Sequence, residues 1–211
     1  MRKLIVLLFF LTSCSAFAVQ NPIVAQNMYD SESARKKNDS ISKTWQMRIN
    51  DSQVRTAVVM TNGKTPNGEA QTIFWLQCPA DQKYVVAIHY IVRNSSKITD
   101  FDFASFEGPG APGSEKKLVE FRVVSPNGKL SFRDSVAGWY GGAGEADAFV
   151  FGTGATKQDK IMQLARLVAK GSAEVTFIVH DYQDYRKTIE TTFPAIDPSS
   201  DVAKFLNGCR M

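Results

Sequence analysis

Three cysteines and two histidines among 211 residues leave little material for metal or thiol chemistry. A zinc site gathers four Cys, His, Asp or Glu ligands, usually announced by short paired spacings, and no such spacing occurs here. With only His89 and His180 available, a Ser/His/Asp set would have no local signature, and the Gly-x-Ser-x-Gly elbow that presents a nucleophilic serine is missing. Charge of one sign is also scarce. Lys and Arg number 25 against 21 Asp and Glu, a net +4, of which Arg2 and Lys3 carry two. The basic residues are dispersed and no Lys/Arg stripe alternates with aromatics, which argues against a nucleic-acid partner. Arg35-Lys36-Lys37 is one short cluster; three charges bind anionic lipid weakly, and it reads as solvated linker. No apolar run approaches the about 20 residues that span a bilayer as a helix.

The longest such run, Leu4 to Leu11, is informative because of its flanks. Met1-Arg2-Lys3 precedes it, and Thr12-Ser13-Cys14-Ser15-Ala16-Phe17-Ala18 follows with small residues where a signal peptidase needs them. Residues 1–18 therefore read as a bacterial export signal. Two processing events fit. Ala16-Phe17-Ala18 gives a mature start at Val19, whereas Leu11-Thr12-Ser13-Cys14 is similar to a lipobox, which would make Cys14 a lipidated N-terminus. Residues 19–43 are too polar to fold alone and suit a tether. Residues 44–211 are expected to form a single β-rich domain. The expected location is the periplasm, with Ser15 directing a Cys14 lipoprotein to the outer membrane as in the bacterial lipoproteins it resembles. Membrane contact would then be through that anchor alone.

An oxidising compartment gives the two other cysteines a reading. Cys78 and Cys209 are an even pair, expected as a disulfide. They enclose about 130 residues, a loop whose closure is worth roughly 4–5 kcal/mol in the chain-entropy model.

From Thr44 onward apolar residues recur mostly with period two, the strand signal. Trp45, Met47 and Ile49 alternate with polar residues, Val54 to Met60 is a β-branched run, and Asn62-Gly63 and Asn67-Gly68 read as a turn-rich link. Strands are expected over Thr72 to Cys78, Tyr84 to Val92, Ile98 to Phe106, Leu118 to Val124, Lys129 to Phe132, Ala146 to Phe151, Glu174 to Val179 and Lys187 to Phe193. Ser125-Pro126-Asn127-Gly128 is a hairpin turn, since Pro presets φ and Gly accepts a positive one. Lys157 to Lys170 places Ile161, Leu164, Ala165 and Val168 on one helical stripe, with Thr156 as N-cap and Gly171 past the end. Ser199 to Asn207 is a shorter helix with Val202, Phe205 and Leu206 inward. The expected fold is mainly β, an antiparallel β-sandwich or half-open barrel with one mid-chain helix and a short C-terminal helix.

Candidate chemistry is thin. His89 alternates with Ala87 and Ile91 and reads as a half-buried strand residue with one ring nitrogen satisfied. His180 and Asp181 open a polar stretch that reads as a solvated hairpin tip, two ligands being too few for a metal. Glu107, Glu120, Glu145 and Asp147 are the acids that wall or carbohydrate chemistry would need in a converging pair. Gly171-Ser172-Ala173-Glu174 reads as helix capping. Two loops stand out. The Glu107–Gly113 stretch (Glu-Gly-Pro-Gly-Ala-Pro-Gly) has neither helix nor strand pattern, and 137–144 sets Trp139 and Tyr140 on a glycine frame. Large amphipathic rings are typical interface anchors, so Trp139 and Tyr140, with Glu107 and Pro109 beside them, are the candidate binding residues. The alternative for both rings is inward packing at one end of the sheet.

Trp45 in a first strand, Leu76-Gln77-Cys78 closing another, His89-Tyr90-Ile91, and Thr191-Thr192-Phe193 before a short helix and Cys209 form an ordered set. In that layout residues 44–211 resemble type VI secretion accessory proteins of the TagO/VasI kind; the invasion-associated locus B proteins share a diffuse likeness. Arg210-Met211 after Cys209, the 107–113 loop and the 157–170 helix depart from the first family's pattern. Either resemblance implies a non-enzymatic envelope protein without a cofactor, binding another envelope or effector protein. An inhibitor or immunity protein for a cell-wall hydrolase and a wall-active enzyme using Glu107, Glu145 or Asp147 are the alternative readings.

Overall fold

The computed structural model describes residues 43–49, 55–78, 87–126, 128–141, 147–154 and 158–208. Residues 1–42, which carry the expected export signal, Cys14 and most of the expected tether, lie outside the described residues, as do Thr156, Glu145 and Cys209. Among those described are ten strands: β1 (Gln46–Ile49), β2 (Arg55–Thr65), β3 (Gly68–Cys78), β4 (Ala87–Arg93), β5 (Val119–Ser125), β6 (Gly128–Asp134), β7 (Ala137–Tyr140), β8 (Ala148–Gly154), β9 (Glu174–His180) and β10 (Thr188–Phe193). Two α-helices accompany them, α1 (Gln158–Ala169) and α2 (Asp201–Gly208). None of the described helices is long and apolar enough to cross a membrane.

All ten strands belong to one antiparallel sheet, nine of them in the order β6-β5-β9-β10-β2-β3-β4-β8-β7 and β1 paired with β2 off this path. The long β2 pairs with β3 over its whole length on one edge. Its other edge is shared, residues 55–58 facing β1 and Lys64 facing Glu190 of β10. The sheet curls as a half-open barrel, so one core serves both of its wings. Phe121 and Phe177 from one wing meet Phe74, Tyr90, Phe149 and Phe151 from the other in one continuous cluster. Period-two alternation produces this: along β5, Val119, Phe121 and Val123 turn inward while Arg122 and Val124 are exposed. Phe74 sits at the centre, with Trp45, Phe177 and Phe193 rings at 5.4, 4.9 and 5.4 Å.

Both helices close this inner side. The α1 stripe Ile161, Leu164, Ala165 and Val168 is buried in the core, as expected from its spacing. Gly171 ends the helix at φ 74, and its N–H donates to the Val168 carbonyl at 3.0 Å. In α2, the Ser200 hydroxyl accepts from the Ala203 N–H at 3.2 Å, an N-cap. Val202 and Leu206 are buried and Phe205 is half-buried. Trp45 secures the closing segment by donating its indole N–H to the Pro194 carbonyl at 2.7 Å.

Several expectations need correction. Ile98 to Phe106 is no strand: two 3₁₀ turns, Ser95–Lys97 and Ala104–Phe106, carry Phe101, Phe103 and Phe106 into the core. Asn62-Gly63 is not a turn but lies inside β2, because Thr191 of β10 needs the space. A Cβ on Gly63 would lie 2.0 Å from the Thr191 hydroxyl oxygen. That hydroxyl shares a 2.8 Å hydrogen bond with Tyr90 in the core. The glycine frame around Trp139 and Tyr140 is strand β7 over 137–140, paired with β8; residues 142–146 lie outside the described ones.

Candidate functional site

The edge of β7 away from β8 is where the two unusual stretches meet. Glu107 forms a parallel bridge to Gly138, and the Gly108 N–H donates to the Gly138 carbonyl at 2.9 Å. The 107–113 excursion is thereby an ordered loop, held at its far end by the Gly113 N–H donating to the Ser105 carbonyl at 2.7 Å. Asp102 braces the same corner through the Ser105 hydroxyl and N–H.

Because strand residues alternate in direction, Trp139 and Tyr140 cannot act as a pair in one pocket. Tyr140 pairs with Phe149 and lies at the rim of the inner side, its ring edge-on to Phe149 at 5.0 Å. It remains 44% exposed. Partial burial, then the carboxylates of Glu107 and Asp102, push its hydroxyl above the usual phenol range. Trp139 pairs with Val150 and lies on the outer side, half-buried. Glu107 and Pro109 are exposed next to Tyr140's strand. The sequence thus placed the right loop beside β7, but its two aromatic anchors face opposite ways.

Trp139 belongs to a second cluster on the outside of the sheet. Val58, Met60, Ile73, Trp75, Ile91, Ala148 and Val150 are all buried there, separate from the core. His89 joins them, 4.7 Å from the Trp75 ring and 5.4 Å from that of Trp139. Gly152 leaves the room for this meeting: a Cβ on it would lie 2.5 Å from Trp139 and 2.9 Å from the His89 ring. Desolvation lowers the His89 pKa to about 3, so the ring is neutral across the physiological range. Among the described residues neither His89 Nδ1 nor Trp75 Nε1 has a hydrogen-bond partner, so the satisfied nitrogen expected for His89 is not found at Nδ1. One signal pointed here: Thr72 to Cys78 is apolar on both faces, and a strand covered on both sides reads that way.

The other wing of the outer face is polar. Glu120 on β5 is nearly buried and receives Arg122 at 2.6 Å and Arg133 at 3.1 Å. Burial pushes its carboxyl up, but the two arginine hydrogen bonds and charges outweigh it and hold the pKa below the usual carboxylate value. His180 is not at a solvated tip. It is the buried last residue of β9, stacked on Tyr185 at 3.9 Å, with Nδ1 3.0 Å from the Tyr185 carbonyl. Asp181, also buried, accepts the N–H groups of Asp102, Gln183 and Asp184 at 2.6, 2.8 and 2.8 Å. Its role there is to build the turn and tie it to the Asp102 corner.

The acids considered for catalysis are dispersed. Asp147 accepts the Ser96 N–H at 2.6 Å, Glu120 is held by arginines, and Glu107 edges β7. Among the described residues no three His, Cys, Asp or Glu side chains gather as a metal site. Cys78 is buried at the end of β3, and its expected partner lies outside the described residues. No protein family, curated protein or solved structure matches the chain.

Proposed function

We propose that this chain is an exported envelope protein that acts by binding another protein, in the manner of the secretion accessory proteins it resembles, and catalyses no reaction. The observation that carries this reading is Tyr140, a large ring left 44% exposed at a sheet edge whose neighbouring loop is rigidly held. A pre-ordered aromatic loses little freedom on docking, which is why such rings dominate interfaces. Glu107 and Pro109 flank it as the polar and apolar rim. Export through residues 1–18, with cleavage before Val19 or lipidation at Cys14, would put the domain in the periplasm or on the outer membrane. The Cys78–Cys209 disulfide belongs to the same proposal. In its support, Cys78 is not without a partner, and α2 touches β1 and ends at Gly208, directly before Cys209.

The test is crosslinking in intact cells followed by recovery of the tagged protein, comparing wild type with Tyr140→Ala and Glu107→Ala. Truncating a central anchor costs about 2 kcal/mol or more, roughly a 30-fold loss of affinity. Capture should fall with Tyr140→Ala while the denaturation midpoint is preserved. Equal capture by the Tyr140 variant would refute the assignment. A lysis assay with added muramidases and amidases tells a hydrolase inhibitor from a secretion accessory.

A further inference from the structure

The polar wing carries a surface that the Tyr140 edge does not use. It lies on β5 and β6, at the opposite end of the strand order from β7. The register sets its outward side chains across from one another: Arg133 faces Glu120, Ser131 faces Arg122, and Lys129 faces Val124. Arg122, Arg133 and Lys129 are exposed, whereas Glu120, the one acid in this set, is buried. Glu174 and Glu190 belong to β9 and β10, so the β5–β6 border is the positive side of this face. Glu120 positions the two arginines without neutralising them. It accepts Nε of Arg122 at 2.6 Å and, from Arg133, Nε at 3.2 Å and Nη2 at 3.1 Å. A guanidinium has five N–H donors, and both side chains are about half exposed. Most of those donors are left for another acceptor.

The two ends of this stretch are apolar. Four large hydrophobic side chains are exposed among the described residues, and two of them bracket it: Val124 at 46% and Tyr185 at 44%. Val124 stands beside Lys129, and the Tyr185 ring centre is 5.4 Å from the Arg133 guanidinium. Tyr185 is also held in place. Its ring stacks on buried His180 at 3.9 Å and 3°, and the His180 Nδ1–H donates to the Tyr185 carbonyl at 3.0 Å. Lys129 and Arg133 are four residues apart (133 − 129), which is about 14 Å of strand. Charge spread over that length suits an extended chain bearing several carboxylates better than one compact phosphate. Tyrosine and arginine are also the side chains that most often carry the energy of an interface.

We infer that the outer face of β5 and β6, together with Tyr185, is a docking surface for an extended acidic segment of a partner protein. Its carboxylates would meet Arg122, Arg133 and Lys129, and its apolar residues Tyr185 and Val124. The planar forks of the arginines match carboxylates bidentately, and Lys129 adds a less directional charge. This surface is separate from the Tyr140 edge, so either can fail without the other.

Nuclear magnetic resonance of the purified full-length protein tests the inference. The probe is the peptide acetyl-Leu-Glu-Ser-Glu-Ser-Leu-amide, compared at equal ionic strength with its glutamine counterpart and with inorganic phosphate. The acidic peptide should move the Nε–H signals of Arg122 and Arg133 and the ring signals of Tyr185 saturably, and the glutamine peptide should not. Arg122→Gln and Arg133→Gln should each weaken binding roughly tenfold, and Lys129→Gln about threefold. Arg133→Lys keeps the charge without the fork and should recover only part of the loss. Unchanged amide signals from β2, β3 and β4 report that each variant is folded. If the Arg122 and Arg133 signals of the wild type stay still with the acidic peptide, the inference is overturned however the variants behave. Equal movement with the glutamine peptide, or undiminished binding by both arginine variants, overturns it as well. Tighter binding of phosphate than of the peptide would assign the forks to a phosphate-bearing ligand instead.

Discussion

The two wings of this sheet share one core but have opposite exteriors. On β6, β5 and β9 the outward side chains are a Glu120–Arg122–Arg133 network and the His180–Tyr185 stack, and Thr176 bonds Thr192 of β10 at 2.9 Å. On β2, β3, β4 and β8 they are valine, isoleucine, methionine and tryptophan. A polar exterior is served by water and by its own pairs, whereas the apolar wing buries its side chains; among the described residues His180 Nε2 on the first wing and His89 Nδ1 and Trp75 Nε1 on the second lack a hydrogen-bond partner. The wings meet where Gly63 admits Thr191, and Tyr90 reaches across to the same hydroxyl. One hydrogen-bonded sheet can therefore combine a half with an ion-paired exterior and a half with an apolar one.

The largest effect should come from breaking what the wings have in common. Phe74→Ala removes the ring that touches Trp45, Phe177 and Phe193, and a buried Phe→Ala change costs about 3–5 kcal/mol. Urea denaturation should show one cooperative transition moved to lower denaturant; two separate transitions would mean that the wings fold independently. Gly63→Val comes next. It forces a branched side chain against Thr191 at the seam, with a cost of about 1–3 kcal/mol for overpacking. Gly152→Val tests the apolar wing alone and should cost less than Gly63→Val, because the obstructing Trp139 ring is half-buried and can swing aside. Its emission should shift to the red.

Acid distinguishes the exteriors too. His89 is depressed in the folded state, to about 3 from 6.5, so the unfolded chain binds the extra proton first. The stability it contributes is whole above pH 6.5 and declines as pH falls toward 3, by up to about 1.4 kcal/mol per unit. His89→Phe should flatten that limb in thermal melts from pH 7 to 4. A variant as acid-sensitive as the wild type would relocate the effect. Glu120→Gln should have the smallest effect, about 1 kcal/mol, since both arginines are half-exposed and screened. Glu120's pKa is lowered, so its contribution holds above the ordinary carboxylate value and is lost as pH drops through the folded one. The Gln variant should differ from wild type at pH 7 and converge with it in strong acid.

Elements with local causes were legible from the sequence. The α1 stripe with its closing glycine and the β5–β6 hairpin around Pro126 carry their instructions within a few residues. The misread places are those decided by distant neighbours. Asn62-Gly63 has the composition of a turn, yet the glycine serves Thr191, some 130 residues away. Phe101 and Phe103 alternate as in a strand, but two 3₁₀ turns direct them inward just as well. The glycines of 137–144 read as a loop, whereas pairing with β8 makes its first half a strand. The candidate site divided along the same line. The loop at Glu107 and Tyr140's exposure followed from composition, whereas the outward turn of Trp139 depends on register with Val150.

The indole of Trp45 reaches a carbonyl 149 positions further along the chain. The middle strand of the sheet likewise completes its pairing only with a strand near the far end. No early fragment of this polypeptide can close its own barrel, so a growing or partly threaded chain must stay unfinished until residue 194 has emerged. Topologies dominated by such remote partners fold slowly. In the proposed export, that delay would keep the chain pliable while it is threaded across the membrane.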